Sequence, residues 1–326
     1  VSLPILQSYY GDSAIFHVLY ARHLAAEPAP LSLAVQAGGK QGGHVILRSD
    51  GGDGATVVGF RCTDYYGQHH HLDQGSFVVF RNGLLALDAG TYRHVNGPQM
   101  ETSAHSTLLF GGEGQRRQNF QNASTLEAFT SRLPKGLETG DMPFFKHAGD
   151  WSAAAGQFAP AYAPAPVRSC ARQLLFVRPG IVAVVDQVEA PEGKALPEVR
   201  WLLQVPGRPE IEGRSATAAS TKSWLRCRAL LPGAPPKVEE SLPTPAGPNN
   251  DNGVPPVITT SRVAYAYEGK PRLVLVHLLE VGDGKPAAIP PAPPVEVDAQ
   301  SVRLTLDGKA FVFSARPPFE VAPRKP

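Results

Sequence analysis

The chain has 326 residues and a net charge of +2, with 18% charged residues and 32 each of glycine and proline. Its 31 basic residues are scattered rather than striped, which excludes the footprint of a nucleic-acid-binding protein. No apolar run approaches the roughly 18 residues a membrane helix needs, and Cys62, Cys170 and Cys227 contain no C-x-x-C pair, so neither a disulfide framework nor a zinc ribbon is expected.

The first expected element is the only helix. Asp12 or Ser13 can cap "SAIFHVLYARHLAA", which places Ile15, Leu19 and Tyr20 along one side, and the pattern stops before "EPAP" at 27–30. The opening "VSLPILQSYY" lacks both the basic region and the long apolar segment of a signal peptide. The absent initiator Met points to processing or truncation.

From residue 44 the pattern is one of strands. "HVILRS" and "TVVGFR" flank the loop "DGGDGA", and "SFVVF-RNG-LLALD" reads as a hairpin around Asn82-Gly83, a dipeptide that supplies the positive φ of a tight turn. "RQLLFV-RPG-IVAVVDQV" is a second hairpin. "EVRWLLQV", "SWLRCRALL", "RVAYAYEG" and "RLVLVHLLE" follow, then "VRLTL-DG-KAFVFS" with its Asp-Gly turn. Strands so punctuated predict an all-β fold, a large sandwich of stacked antiparallel sheets. Proline-rich stretches at 232–256 and 284–295 are expected as surface loops. His277, inside "LVLVHLLE", is expected as a core histidine with satisfied hydrogen bonds.

"QHHHLDQGSF" at 68–77 carries the chemistry. Residues two apart on an extended segment share a face, so His69, His71 and Asp73 point one way and His70 the other. Asp88 ends the strand "LLALD", and "SAHSTL" adds His105. Two imidazoles and a carboxylate suit a zinc-like ion. A straight two-residue hairpin, however, would pair Asp88 with Phe77 and leave it roughly 20 Å from His71. The residues can meet only if the chain folds back near "DQG" at 73–75, which Gly75 permits. From periodicity alone, a polar histidine cluster with local hydrogen bonds is the simpler account.

The ordered set His69, His71, Asp73, Ser76 and Phe77, then Asp88, Gly90 and Tyr92, then Ala104, His105 and Thr107, resembles the signature of the heparinase II/III-like polysaccharide lyases. Ser106 stands where that signature usually has Asn. The resemblance spans about residues 46–112. It implies a C-terminal antiparallel β-sandwich joined to an N-terminal α/α toroid, and β-elimination of uronic-acid-containing polysaccharide in the cleft between them. By the same resemblance, His71, Asp88 and His105 match a structural zinc site, and His69 matches a cleft histidine that takes part in catalysis. The catalytic Tyr base is expected on the toroid. Residues 1–27 would then be the toroid's last helix, 28–43 the connection and 44–326 the sandwich, so that this chain alone turns over poorly. Family habit implies a periplasmic or secreted setting.

Tyr66, Arg116 and Arg117 are candidates to meet the acidic saccharide, since arginines pair well with carboxylates. Aromatic packing at a strand end is the stronger account of Tyr66, and a solvated loop accounts for the arginines as readily. Two other classes are expected to compete: a cupin-like metal enzyme, which also uses H-x-H but wants a Glu a few residues later, and a non-catalytic carbohydrate-binding or structural sandwich.

Overall fold

The computed structural model describes residues 32–37, 42–64, 70–90, 97–116, 138–162, 166–245 and 256–324. The helix expected at 12–27 lies outside them. The described part begins with an antiparallel meander: β1 (Ala34–Ala37), β2 (Gly42–Arg48), β3 (Val57–Thr63), β4 (Phe77–Phe80) and β5 (Leu84–Ala86) lie side by side in chain order. Strand β1 falls within the stretch read as a connection, where it pairs along β2.

After β6 (Leu108–Phe110) come β7 (Asp141–Ala148), β8 (Trp151–Gln157), β9 (Ser169–Val177) and β10 (Ile181–Glu189). They are followed by β11 (Val199–Pro206), β12 (Glu210–Glu212), β13 (Ser215–Ala219), β14 (Ser223–Leu231) and β15 (Pro236–Glu240). Next are β16 (Thr244–Pro245), β17 (Val257–Ile258), β18 (Thr260–Tyr267) and β19 (Arg272–Asp283). The last sheet is β20 (Val295–Val297), β21 (Ser301–Leu306), β22 (Lys309–Ser314) and β23 (Val321–Arg324). An eight-stranded sheet has the order β12-β13-β14-β19-β10-β9-β8-β7, and a four-stranded one β15-β18-β11-β6.

The eight-stranded sheet is covered on both faces, which explains its unbroken apolar runs. Successive side chains on a strand point to opposite faces. In β9, Leu174 and Phe176 enter one core with Phe60 and Trp201, while Leu175 enters a second core with Val302, Phe311 and Phe313. The expected sandwich is therefore present, and the C-terminal sheet adds a further layer against it.

The expected hairpins form. Asn82 (φ 50°) sits in the turn between β4 and β5, and Asp307 (φ 46°) and Gly308 (φ 74°) turn β21 into β22. One loop expectation is corrected: 232–256 contains β15 and β16. Proline is tolerated there because Pro236 opens an edge strand, where the sheet asks for no amide hydrogen from it. Of the stretch 284–295, all but Val295, which opens β20, is a loop, tied down where Arg226 reaches the Ala287 carbonyl and Arg228 reaches that of Pro290.

Candidate functional site

The histidine segment is shaped by a turn. Gly75 has φ +75°, and a Cβ there would stand 2.4 Å from the Phe158 ring, so glycine alone fits. The Ser76 amide donates to the Asp73 carbonyl at 3.0 Å, and the Leu72 amide to that of Met100 at 2.8 Å. The chain thus doubles back between His71 and β4. The hairpin does not continue straight either. Its register shifts between Val79 and Phe80, and after Ala86 the Leu87 amide leaves β4 to donate to the Gln204 carbonyl on β11. These two departures remove the separation that a straight hairpin would impose.

Three loops consequently converge. The Ala89 amide donates to the Ala104 carbonyl at 2.9 Å, which sets Asp88 beside His105. His105 Nδ1 and Asp88 Oδ1 are 3.1 Å apart, and the His71 and His105 ring centroids are 5.1 Å apart. Asp73 joins them: ligand atoms of His71, Asp73 and His105 all lie within 4.8 Å of one another. Asp88 therefore meets His105 as the sequence suggested, and Asp73 is a second carboxylate not assigned to the ligand set. Its signal was present in its spacing, two residues from His71.

Electrostatics separate the two imidazoles. Burial and the neighbouring His105 push the His71 pKa down to about 4. Burial alone would lower that of His105 too, but the hydrogen bond and charge of Asp88 outweigh it and hold it above the usual histidine value. Burial raises the Asp73 pKa even though Arg61 stands 2.8 Å away. For Asp88, burial works upward, but His105 prevails and the pKa falls below the usual carboxylate range. His70 is half-buried, with its pKa also at about 4, first from burial and then from the Arg61 charge.

The loops are braced from behind. Gln74 accepts from the Thr63 amide at 2.7 Å, and the Gln74 amide donates to Gln115 Oε1 at 2.8 Å. Thr107 Oγ1 and Gln115 Nε2 both donate to the Gln74 carbonyl at 2.8 Å. Fully buried Arg172 pairs with Asp186 through two hydrogen bonds of 2.7 and 3.0 Å. Its Nη1 donates to the carbonyls of Gly75, at 2.6 Å, and Ser106, at 2.9 Å. One guanidinium thus fixes the spacing between the Asp73 turn and the His105 loop. Ser106 Oγ accepts from the Gln204 amide at 3.1 Å, a backbone-bracing use of the position where Asn is usual.

His105 Nε2 and Asp73 Oδ1 are buried with no hydrogen-bond partner. Buried polar atoms normally have one. These two open atoms, with the His71 imidazole grouped beside them, suit a zinc-like ion, and ligands at about 2.0–2.1 Å on a tetrahedral ion stand about 3.3 Å apart. The 3.1 Å between His105 Nδ1 and Asp88 Oδ1 matches that spacing as well as it matches a hydrogen bond, but it uses the opposite ring nitrogen from the open Nε2, so the two describe alternative ligand sets.

The expected catalytic residue His69 lies outside the described residues, as do Tyr66 and Arg117. Arg116 is exposed and lines a crevice of about 260 Å³ with Phe110, Glu113 and Tyr162, whose lining includes none of the imidazoles. His277 is a core residue as expected: its Nε2 meets the Tyr267 hydroxyl at 2.8 Å and it stacks on Trp201 at 3.9 Å, but its buried Nδ1 has no hydrogen-bond partner, so the expected satisfaction is met at one nitrogen only.

Residues 33–237 match the family described as Heparinase II/III-like, C-terminal. The chain belongs to that family. Among solved structures, the heparan sulfate lyase HepC from Pedobacter heparinus is 13% identical, with a TM-score of 0.65 over 95% of this chain and 46% of that one. A heparinase III gene product is 16% identical with a TM-score of 0.65, covering 99% of this chain and 48% of that one. Another heparinase III is 11% identical with a TM-score of 0.61, over 84% and 41%. At these identities the likeness is one of fold, and the chain spans about half the length of the structures it matches. No curated protein matches it. Among the described residues no helix is long and apolar enough to cross a membrane.

Proposed function

We propose that this chain is the sandwich portion of a polysaccharide lyase that breaks uronic-acid-containing chains by β-elimination. The observation that carries the reading is the clustering of His71, His105, Asp73 and Asp88, brought from separate loops, with His105 Nε2 and Asp73 Oδ1 buried and open, inside a heparinase II/III-like sandwich. The proton next to a uronate carboxylate is weakly acidic, because its removal adds charge to an anion. Elimination therefore needs cationic or polar donors at that carboxylate, a base for the proton and an acid for the departing glycosidic oxygen. His69 is assigned to the cleft by family resemblance, and the Tyr base to a helical toroid that would act with this sandwich. A polymer substrate of this kind would place the protein in the periplasm or outside the cell.

In this reading His71, Asp88 and His105 hold a zinc-like ion. The ion supplies fixed positive charge that ties the three loops together, a supporting role behind the substrate-facing histidine. His71 is suited to it, since a ligand imidazole must be neutral. The 4.8 Å grouping favours a variant of the same site in which Asp73 is the carboxylate ligand and Asp88 orients His105 from behind.

Metal analysis of the chain, with an ultraviolet assay for unsaturated uronate product, tests the proposal. About one equivalent of zinc with weak turnover is expected, and robust turnover on adding a toroid domain. A zinc-free chain that leaves such turnover unchanged would remove the metal from the reading. Absence of unsaturated product with the toroid present would remove the lyase.

A further inference from the structure

A second crevice, sharing no lining residue with the imidazole cluster, has the makings of a binding site. It lies where the ends of β8, β9 and β10 meet the turn after β22, and has a volume of about 510 Å³. Gln157, Arg168, Gln187, Glu189, Arg316 and Phe319 are in its lining.

Charge is unbalanced there. Three guanidiniums share the one carboxylate of Glu189: Arg168 at 2.6 Å, Arg316 at 3.5 Å and Arg272 at 3.8 Å. Glu189 is mostly covered, with 16% side-chain exposure, whereas Arg168 and Arg316 are 60% and 70% exposed. A latch between sheets needs one cation per carboxylate. Extra, solvent-facing guanidiniums around a saturated carboxylate offer their remaining N–H groups to an anion, and arginine presents these as a planar fork that fits carboxylate or sulfate.

Hydrogen bonding points the same way. Gln187 is 4% exposed and lines the crevice, and its Nε2 donates to the Ser314 carbonyl at 2.9 Å. Its Oε1 is left without a donor. A buried acceptor of this kind costs free energy unless a donor reaches it. Phe319, Pro317, Ala171 and Ala315 add an apolar floor. A guanidinium fork, an amide acceptor and an apolar floor correspond to the three faces of an acidic sugar: its anionic group, its hydroxyls and its C–H surface.

We propose that this crevice binds an acidic sugar residue, with its carboxylate or sulfate between Arg168 and Arg316 and a hydroxyl on Gln187. A saccharide bound here would hold a second stretch of an acidic polymer on the sandwich.

Arginine-selective labelling with phenylglyoxal, read residue by residue by mass spectrometry on the full chain, tests this. A heparan sulfate tetrasaccharide is expected to slow labelling of Arg168 and Arg316 about tenfold. Arg303 and Arg200, 46% and 40% exposed on other strands, should react at their free rates. Parallel arms with glucuronate and with inorganic sulfate show which anionic group is held. Equal protection of Arg303 and Arg200 would mean general adsorption of a polyanion and overturn the proposal. Protection by sulfate alone, without the tetrasaccharide, would overturn the sugar assignment, and no protection by any probe would overturn the site. Because each arm uses the unmutated chain, a folding defect cannot mimic the result, and the outcome does not depend on whether the imidazole cluster holds a metal.

Discussion

Two of the polar islands in the interior of the described residues are built differently. In the core, Arg172 and Asp186 form a one-to-one pair: the Trp201 indole donates to Asp186, backbone carbonyls take the spare guanidinium hydrogen, and His277 is neutral between Trp201 and Tyr267. At the loops beyond β3, β5 and the start of β6, His71, His105, Asp73 and Asp88 crowd together with buried donor atoms left open. Burial is complete for both His277 and His105. What distinguishes them is charge balance. Burial drives the His277 pKa well below the usual value, while two carboxylates hold His105 above it. The His277 Nδ1 is also without a partner, but among the described residues no carboxylate faces that ring; an island whose charges are paired organises a fold, and one that gathers carboxylates and imidazoles around open atoms is arranged for something that arrives.

The comparison breaks most severely if the core pair is cut. Arg172→Met strands Asp186 as an uncompensated buried charge and releases the Gly75 and Ser106 carbonyls. Stability should fall by about 3–5 kcal/mol, measured by urea denaturation, with any metal content falling alongside. The double change R172M/D186L should recover much of that stability, because removing both charges removes the penalty. If the double variant regains stability but not metal, the guanidinium is a positioning group for the loops as well as a brace for the core.

A middle-sized effect separates the islands directly. His71→Ala, at a half-buried position, should lose bound zinc while changing the melting temperature of the metal-free chain little. His277→Phe removes the acceptor of Tyr267 and should cost about 1–3 kcal/mol while leaving zinc content unchanged. Elemental analysis and calorimetry on the pair read both outcomes, and an exchange of the two phenotypes would reverse the assignment of the islands. Asp88→Asn and Asp73→Asn sharpen it further. If Asp88 is the ligand, D88N lowers zinc affinity more than D73N does, and the reverse order identifies Asp73.

Much of this was legible in the chain. Hairpin turns at Asn82-Gly83 and Asp307-Gly308 announced themselves, as did the strand runs and the order of the imidazole motif. Strands β7 and β8 were not. "WSAAAGQ" has small side chains of low strand preference, and it is a strand because it packs between β7 and β9 under a Phe60–Cys62 surface too close for larger residues: a Cβ on Gly156 would come within 2.6 Å of Cys62. The bracing roles of Arg172 and Gln115 gave no signal either, since the loop backbone groups they hold are 66 to 97 and 41 residues away.

The smallest predicted effect lies at Asp64, just past the end of β3. Burial and the nearby Asp141 carboxylate lift the Asp64 pKa from 3.8 to about 6. Below pH 3.8 both folded and unfolded chains hold the proton, so no penalty exists. Between 3.8 and about 6 only the folded chain does, and stability drains away as pH rises, fully so above 6. Asp64→Asn keeps an oxygen for the Thr139 amide. It should raise the melting temperature at pH 8 and leave it unchanged near pH 3.5, and a pH-independent shift would remove the electrostatic cause.

By itself the sequence determined the fold class, the strand grammar and the identity of the imidazole-bearing motif, because turn chemistry and side-chain alternation are local properties of a chain. Convergence was decided only in three dimensions. The Gly75 turn, the departure of Leu87 toward Gln204 and the long reach of Arg172 bring residues 71, 73, 88 and 105 into contact. Which carboxylates face an imidazole depends on packing between sheets, which no local pattern encodes.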